Sequence, residues 1–329
     1  MEVLDWDRIV GHGEKTARLR ALINEDKMPH ALLIAGPEGV GKFLVAQMTA
    51  AAIFCNGEPT RPCGSCSSCQ AMAANRHPDL VVVEPDGQNI KIEQIRNLQT
   101  EISLVPYLGS YRVAILRQAE KLTLPAANSL LKVIEEPPAN IIFILLTSNW
   151  QAMLATILSR CRRLDLQPLS TAEMLPILAE RNLSPDNAEI IARLSEGSVG
   201  RAFSLIDNNE IEMRNSAFDL LHRFVDCKTM NMVWQQSQAI GEFEREKVQI
   251  LLLYCKLLLR DLIIMHDDQE SELLYNIDLR QRLIPLLQLW SKQSLFAAVN
   301  EVTYLQKTLK ANVNQRLAIE RFLIKLRDL

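Results

Sequence analysis

The run Gly36-Pro37-Glu38-Gly39-Val40-Gly41-Lys42-Phe43 constrains the fold of this chain more than any other feature. It follows the apolar segment Ala31-Leu32-Leu33-Ile34-Ala35 and opens a stretch of helical spacing. A glycine-rich turn from strand to helix, closed by lysine, has the spacing of a phosphate-binding loop. Glycines let backbone amides turn toward phosphate oxygens at a helix N-terminus, and lysine adds a point charge for the β and γ phosphates. Gly36, Gly39, Gly41 and Lys42 are therefore the candidate nucleotide-binding residues.

Such a loop needs a parallel sheet behind it, and the sequence supplies one. Nearly continuous apolar runs recur at Ala31–Ala35, Leu80–Val83, Val113–Leu116 and Ile141–Leu146, as expected of strands buried on both faces. Helical spacing lies between them, with Ile92, Ile95, Leu98 and Ile102 on one face. After about Pro168 strand signals stop. A small helical unit is predicted from Ser170 to about Ile206, with Ser184 as an N-cap and Pro185 at the first helical position. From about Asn208 onward the chain is leucine-rich with amphipathic spacing, for example at Leu317, Phe322 and Leu326. The expected architecture is an α/β phosphate-loop domain with a parallel sheet (1–167), a small helical lid domain (168–207) and an all-helical third domain (208–329).

The loop departs from the full pattern at its last position. Phe43 stands where a serine or threonine would ligate magnesium, and a phenyl ring offers no oxygen to a hard cation. The strand Val113–Leu116 should be followed by an aspartate for the metal and a glutamate to activate water, but Arg117 and Gln118 follow it. A turn kept for its structure and a retained nucleotide site both fit these residues; hydrolysis does not. Glu120, just beyond, reads as a solvated or structural residue.

Cys55, Cys63, Cys66 and Cys69 form C-x7-C-x2-C-x2-C after the helix that leaves the loop. Asn56, Gly57, Pro59, Pro62 and Gly64 favour the tight turns that bring four thiolates together. The downstream Cys-Pro of iron–sulfur runs is missing, so structural zinc is the expected cofactor. Four thiolates leave no coordination position open for a substrate. Cys227 and Cys255 read as helical core thiols.

Charge excludes one class of function. With 36 basic and 39 acidic residues, no positive field exists to drive independent nucleic-acid binding by phosphate neutralisation, so any DNA contact is local or shared. A stand-alone zinc DNA-binding module is disfavoured for the same reason, and aromatics for base stacking are few, at 5%. The N-terminus has neither a basic region nor an apolar one, which predicts a cytoplasmic protein. The most apolar run, Gln249 to Met265, is broken by Lys256, Arg260 and Asp261 and reads as a buried helix, not as the roughly 20 apolar residues of a membrane span. The polar patch Asp267–Ser271 reads as a loop.

The stretch Thr156-Ile157-Leu158-Ser159-Arg160-Cys161, taken with Val10-Gly11-His12, His30–Leu33, Asn128–Lys132, Glu135-Glu136-Pro137-Pro138, Phe143–Asn149 and Gly197–Ala202, resembles the AAA+ clamp-loader family over nearly the whole chain. In that family the Ser-Arg-Cys arginine enters the ATP site of the neighbouring subunit, so the resemblance implies that Arg160 acts in trans as an arginine finger. It also implies that the four cysteines hold zinc, that ATP is bound by neighbouring subunits, and that the third domain is a collar, with Asn314, Arg316, Leu317 and Glu320 similar to its closing helix. Motor members keep the loop Ser or Thr, the Asp-Glu pair and an arginine directly after Gly-Ser-x; here Phe43, Arg117-Gln118 and Gly200 stand instead. Those departures are similar to the family's non-hydrolysing stator, whose implied partners are the gamma/tau motor subunits and the delta subunit, with the sliding clamp and primer-template DNA met through the complex and no membrane. An active motor subunit of gamma/tau type is the alternative. Arg162 and Arg163 help order the interface or form a solvated basic edge.

Overall fold

The computed structural model describes residues 4–57, 60–181, 183–226, 229–309, 311 and 313–329. Five strands among the described residues make one wholly parallel sheet: β1 (Ala31–Ala35), β2 (Leu80–Val83), β3 (Arg112–Leu116), β4 (Ile141–Thr147) and β5 (Arg162–Asp165). Their order is β2-β3-β4-β1-β5, with Leu33 opposite Leu145 on one side and Arg163 on the other. The strand after which the phosphate loop is expected is therefore flanked on both sides.

Alternation along these strands builds two cores. Leu32, Ile34, Ile115, Ile142 and Ile144 face one layer, covered by α2 (Lys42–Phe54). Ala31, Leu33, Leu116, Phe143 and Leu145 face the other, against α4 (Ile92–Ile102) and α5 (Leu124–Glu135). Helix α1 (Gly13–Asn24) precedes the sheet, and α3 (Ser67–Ala73) follows the first three cysteines. Helix α6 (Ala155–Leu158) is a single turn that packs on α5 and leads into β5. Burying each large aliphatic side chain contributes roughly 1.5–3 kcal/mol, so strands buried along their whole length anchor whatever their ends carry.

The four strands expected from sequence are present, and β5 is the addition. Its residues are half-buried or exposed, and Arg162, Arg163 and Asp165 hide its apolar signal.

The remaining helices are α7 (Thr171–Ala179), α8 (Pro185–Leu194), α9 (Val199–Asp207), α10 (Glu210–Asp226), α11 (Met230–Gly241), α12 (Arg245–Asp267), α13 (Arg280–Leu287), α14 (Lys292–Leu309) and α15 (Gln315–Arg327). The chain divides into two compact units: Met1–Ile177 with Glu196–Arg201, and Leu178–Ser195 with Ala202–Leu329. Residues 168–207 are thus shared between the two.

In the second unit α12 is the central helix, with Leu251, Leu258, Leu262 and Cys255 buried along it. The expected buried helix 249–265 lies inside it, and the expected loop begins at its end. Asp261 is fully buried in this unit and accepts hydrogen bonds from the backbone amides of Tyr275 (3.2 Å) and Asn276 (2.9 Å). Ser184 caps α8, accepting from the Asn187 amide at 3.3 Å. In α15 Phe322 and Leu326 are buried as expected, but Leu317 is 63% exposed and lies off that face. Cys227 lies outside the described residues. Among the described residues no helix is long and apolar enough to cross a membrane.

Candidate functional site

The phosphate loop forms as its glycines require. Gly39 has φ 77° and Gly41, the N-cap of α2, has φ 94°, backbone that side chains adopt only under strain. Lys42 folds back over the loop, and its Nζ donates to the carbonyls of Gly36 (2.7 Å) and Pro37 (2.6 Å). Burial lowers its pKa, opposed by Glu120 and Glu38. Gly36, Gly39, Gly41 and Lys42 are thus brought together at the carboxyl end of β1.

The two positions that lack metal ligands meet each other here. The Arg117 guanidinium lies 4.5 Å from the centre of the Phe43 ring and is also paired with Glu84. Where a magnesium site would present a hydroxyl and a carboxylate, this chain presents an aromatic face and a fixed cation. Gln118, exposed with φ 51°, follows.

Glu120 is half-buried and structural in its contacts, as expected: one carboxylate oxygen accepts from the Ser148 amide (3.2 Å) and hydroxyl (2.5 Å) at the end of β4. Burial pushes its pKa up, but hydrogen bonding, that of the Ser148 hydroxyl first, outweighs it and holds the carboxyl below its ordinary range.

The segment at 198–200 closes on the loop. The Gly200 amide donates to the Gly39 carbonyl at 3.0 Å. A Cβ on Gly200 would come within 3.0 Å of the Gly39 Cα, and one on Gly39 would collide with the Ser198 hydroxyl. The position that carries arginine in the motor pattern is here packed backbone against backbone.

The four cysteines converge. Their sulfurs all lie within 4.8 Å of one another, and Cys55 and Cys66 are 4.0 Å apart. A tetrahedral site with metal–sulfur bonds near 2.3 Å needs sulfurs about 3.8 Å apart. Backbone amides already point at the sulfurs: those of Gly57 and Cys63 at Cys55 (both 3.2 Å), that of Cys66 at Cys63 and that of Cys69 at Cys66 (both 3.4 Å). Gly57 is required beside them, because a Cβ there would lie 2.7 Å from the Cys63 sulfur. The donor set fits a thiophilic metal ion, which would be held by Cys55, Cys63, Cys66 and Cys69. Cys63 is already thiolate-prone, its pKa lowered to about 5 by the Ser65 hydroxyl and nearby amides.

Arg160 is not brought to this chain's own loop. It stands in the exposed turn between α6 and β5, two residues before a strand parallel to β1. The phosphate loop leaves the carboxyl ends of the strands, whereas Arg160 sits at their amino ends, so four to five residues at about 3.3 Å each place the two roughly 15 Å apart. Arg160 is paired with Glu135 at 2.7 Å. Its neighbour Arg163, itself exposed, stacks over Trp150 at 3.9 Å and pairs with Asp165 at 2.7 Å.

The family model described as "DNA polymerase III, delta subunit" matches residues 11–170. The delta-prime subunit of DNA polymerase III from Bacillus subtilis is 32% identical over 308 residues, covering 93% of each chain. This chain belongs to the DNA polymerase III delta-prime family. The tau subunit from the same organism is 31% identical over 209 residues, 61% of this chain and 37% of that protein's length. A solved gamma-subunit-related protein from Thermotoga maritima is similar over 94% of this chain and 98% of that chain, at 18% identity and a TM-score of 0.42.

Two residues of this delta-prime family chain escape sequence reading although they hold the expected site residues. Glu84, the first residue after β2, grips Arg117; Glu135, in the Glu-Glu-Pro-Pro run, grips Arg160. No local spacing announces either pair, because each partner comes from a different strand–helix unit.

Proposed function

We propose that the chain is the non-hydrolysing stator of a DNA polymerase III clamp loader, and that it donates Arg160 to the ATP site of a neighbouring motor subunit. The stacking of Arg117 on Phe43 carries this reading. The two positions that would hold magnesium carry instead two groups that contact each other. Gln118 removes the water-activating carboxylate, and Gly200 is spent on packing against the loop.

A finger needs no ATP site in its own chain. An exposed arginine at the amino ends of the strands is available to stabilise charge developing on a neighbour's γ-phosphate, a contribution on the order of a thousandfold or more in comparable systems. Its partners are then the gamma/tau motor subunits and the delta subunit, with the sliding clamp and primer-template DNA engaged through the complex. Bound zinc supplies a crosslink among four thiolates and no chemistry. Residues 168–207 serve as the lid and 208–329 as the collar that holds the ring; Trp234 on α11, whose indole donates to Glu320 at 3.0 Å, ties α11 to α15, the helix that carries the collar-like residues.

The test is the DNA-stimulated ATPase and clamp-loading rate of the reconstituted loader carrying Arg160→Ala, beside the isolated wild-type chain. The expected result is an inactive isolated chain and a complex that assembles normally but turns over roughly a thousandfold more slowly, the lower end of a finger's contribution being about that size. ATP hydrolysis by the isolated chain, or an unchanged complex, would restore the motor reading.

A further inference from the structure

We propose that Glu135 is the positioning residue for Arg160, holding the guanidinium against the turn after α6 at the edge of the unit before a neighbour's phosphate arrives; this rests on the reading of Arg160 as a finger. The last turn of α5 fixes Glu135. Ala127, Leu130 and Ile134 bury one face of that helix, so residue 135 faces outward while its backbone is tied to the core. Helix α6 packs on α5 through Ile157, which is 1% exposed and belongs to the same apolar cluster as Ile134. The turn after α6 therefore sets Arg160 beside the end of α5.

Three contacts hold the side chain there. One terminal nitrogen donates to the Thr156 carbonyl at 2.9 Å and to the Ser159 hydroxyl at 3.3 Å, and the other pairs with Glu135 at 2.7 Å. A guanidinium carries five N–H donors in a rigid fork, so these contacts leave N–H groups free to meet a phosphate. Without the carboxylate, a long side chain in an open turn samples many rotamers, and only some of them aim at a neighbour. The pair is too exposed, at 38% and 47% of the two side chains, to trap the arginine against a phosphate. Pairs of this kind shift an equilibrium by about fivefold at most. Glu135 thus orients the guanidinium without holding it back.

The experiment is a double-mutant cycle in the fully reconstituted loader, with Glu135→Ala, Glu135→Gln, Arg160→Ala and the combined Glu135→Ala/Arg160→Ala, reading kcat and KM for DNA-stimulated ATP hydrolysis and assembly by size-exclusion chromatography. Positioning predicts that Glu135→Ala assembles normally and lowers kcat about two- to fivefold with KM unchanged. It further predicts that Glu135→Gln, which keeps the acceptor oxygen, recovers most of the loss, and that the combined variant is no slower than Arg160→Ala alone. A fast Glu135→Ala complex beside a slow Arg160→Ala complex overturns the positioning role and leaves the finger intact. Equal losses from Glu135→Ala with and without Arg160 also overturn it, since the carboxylate would then act by itself. An unaffected Arg160→Ala complex removes the finger reading and this inference with it.

Discussion

Gly200 shows at the scale of one residue why the departures in this chain belong together. Its amide holds the Gly39 carbonyl, and a side chain at 200 would be driven into loop backbone, which yields less readily than a flexible side chain. Gly200→Arg, which restores the motor pattern, is expected to cost roughly 1–3 kcal/mol of stability through overpacking. It should appear as a lowered denaturant midpoint of the sheet-containing unit, and an unchanged midpoint would mean that the 198–200 segment is easily lifted from the loop. Two buried histidines give a second expectation. Burial lowers the pKa of His12, whose Nε2 lies 3.2 Å from the Val40 carbonyl, against the favourable charge of Glu173; burial likewise lowers that of His77, stacked on Phe54 and opposed by Asp79. The unfolded chain, with His near 6.5, binds more protons than the folded chain as pH falls through that value. Their contribution to stability is therefore complete above about pH 6.5 and declines below it. Melting temperatures at pH 7.5 and 5.5 check this, and a flat profile would mean that both rings accept a proton in place. The loop glycines, Lys42, Phe43 and Arg117 were legible in the sequence because phosphate chemistry fixes their offsets. Glu84, Glu135 and the seat of Gly200 were not, because each is defined by a partner distant in the chain.

Elements were read well where burial writes a continuous apolar run and poorly where it does not. β1, β3 and β4 are buried along their whole length and announced themselves. β5 is short, lies at the sheet edge and needs an apolar face on one side only, so its two arginines and aspartate resembled a loop. The cysteine element was legible from spacing alone, since four thiolates within fifteen residues with turn formers between them have few other uses. Its folded form makes a sharper expectation. Cys66 caps α3 by accepting from the Cys69 amide, Cys55 and Cys69 are buried, and the turn at Gly57 lies against the half-buried Cys63. Removing metal would leave neighbouring thiolates to repel one another or to protonate, and the coordination energy that couples metal to folding would be lost. Chelation, or Cys63→Ser, is expected to release about one zinc per chain to a chromophoric indicator and to speed amide exchange through 55–73, with α10 to α15 unchanged. A chain that purifies without zinc, or a module that keeps its exchange protection after chelation, would turn the cluster into a set of core thiols.

At the scale of the whole molecule, the near-balanced charge separates what this chain does alone from what it does in an assembly. A formal net charge of −3 gives no long-range attraction for a polyanion. Several described arginines are already engaged within the chain: Arg117 with Glu84, Arg160 with Glu135, Arg163 with Asp165, Arg214 with Asp278 and Arg321 with Glu301. Each engaged cation is one fewer available to displace counterions from a duplex, and counterion release supplies most of the affinity in non-specific binding. The isolated chain is therefore expected to show no saturable binding to primer-template DNA tighter than about 10⁻⁴ M at physiological salt, with a log K against log salt slope close to zero. Fluorescence anisotropy of a labelled primer-template over a salt series measures both. In the reconstituted loader the same assay should give tight, steeply salt-dependent binding, because the phosphates are then neutralised by residues of several subunits. Micromolar binding by the isolated chain with a steep slope would reveal a basic face that the net charge conceals, and DNA would then be a direct partner of this subunit instead of one met through the complex.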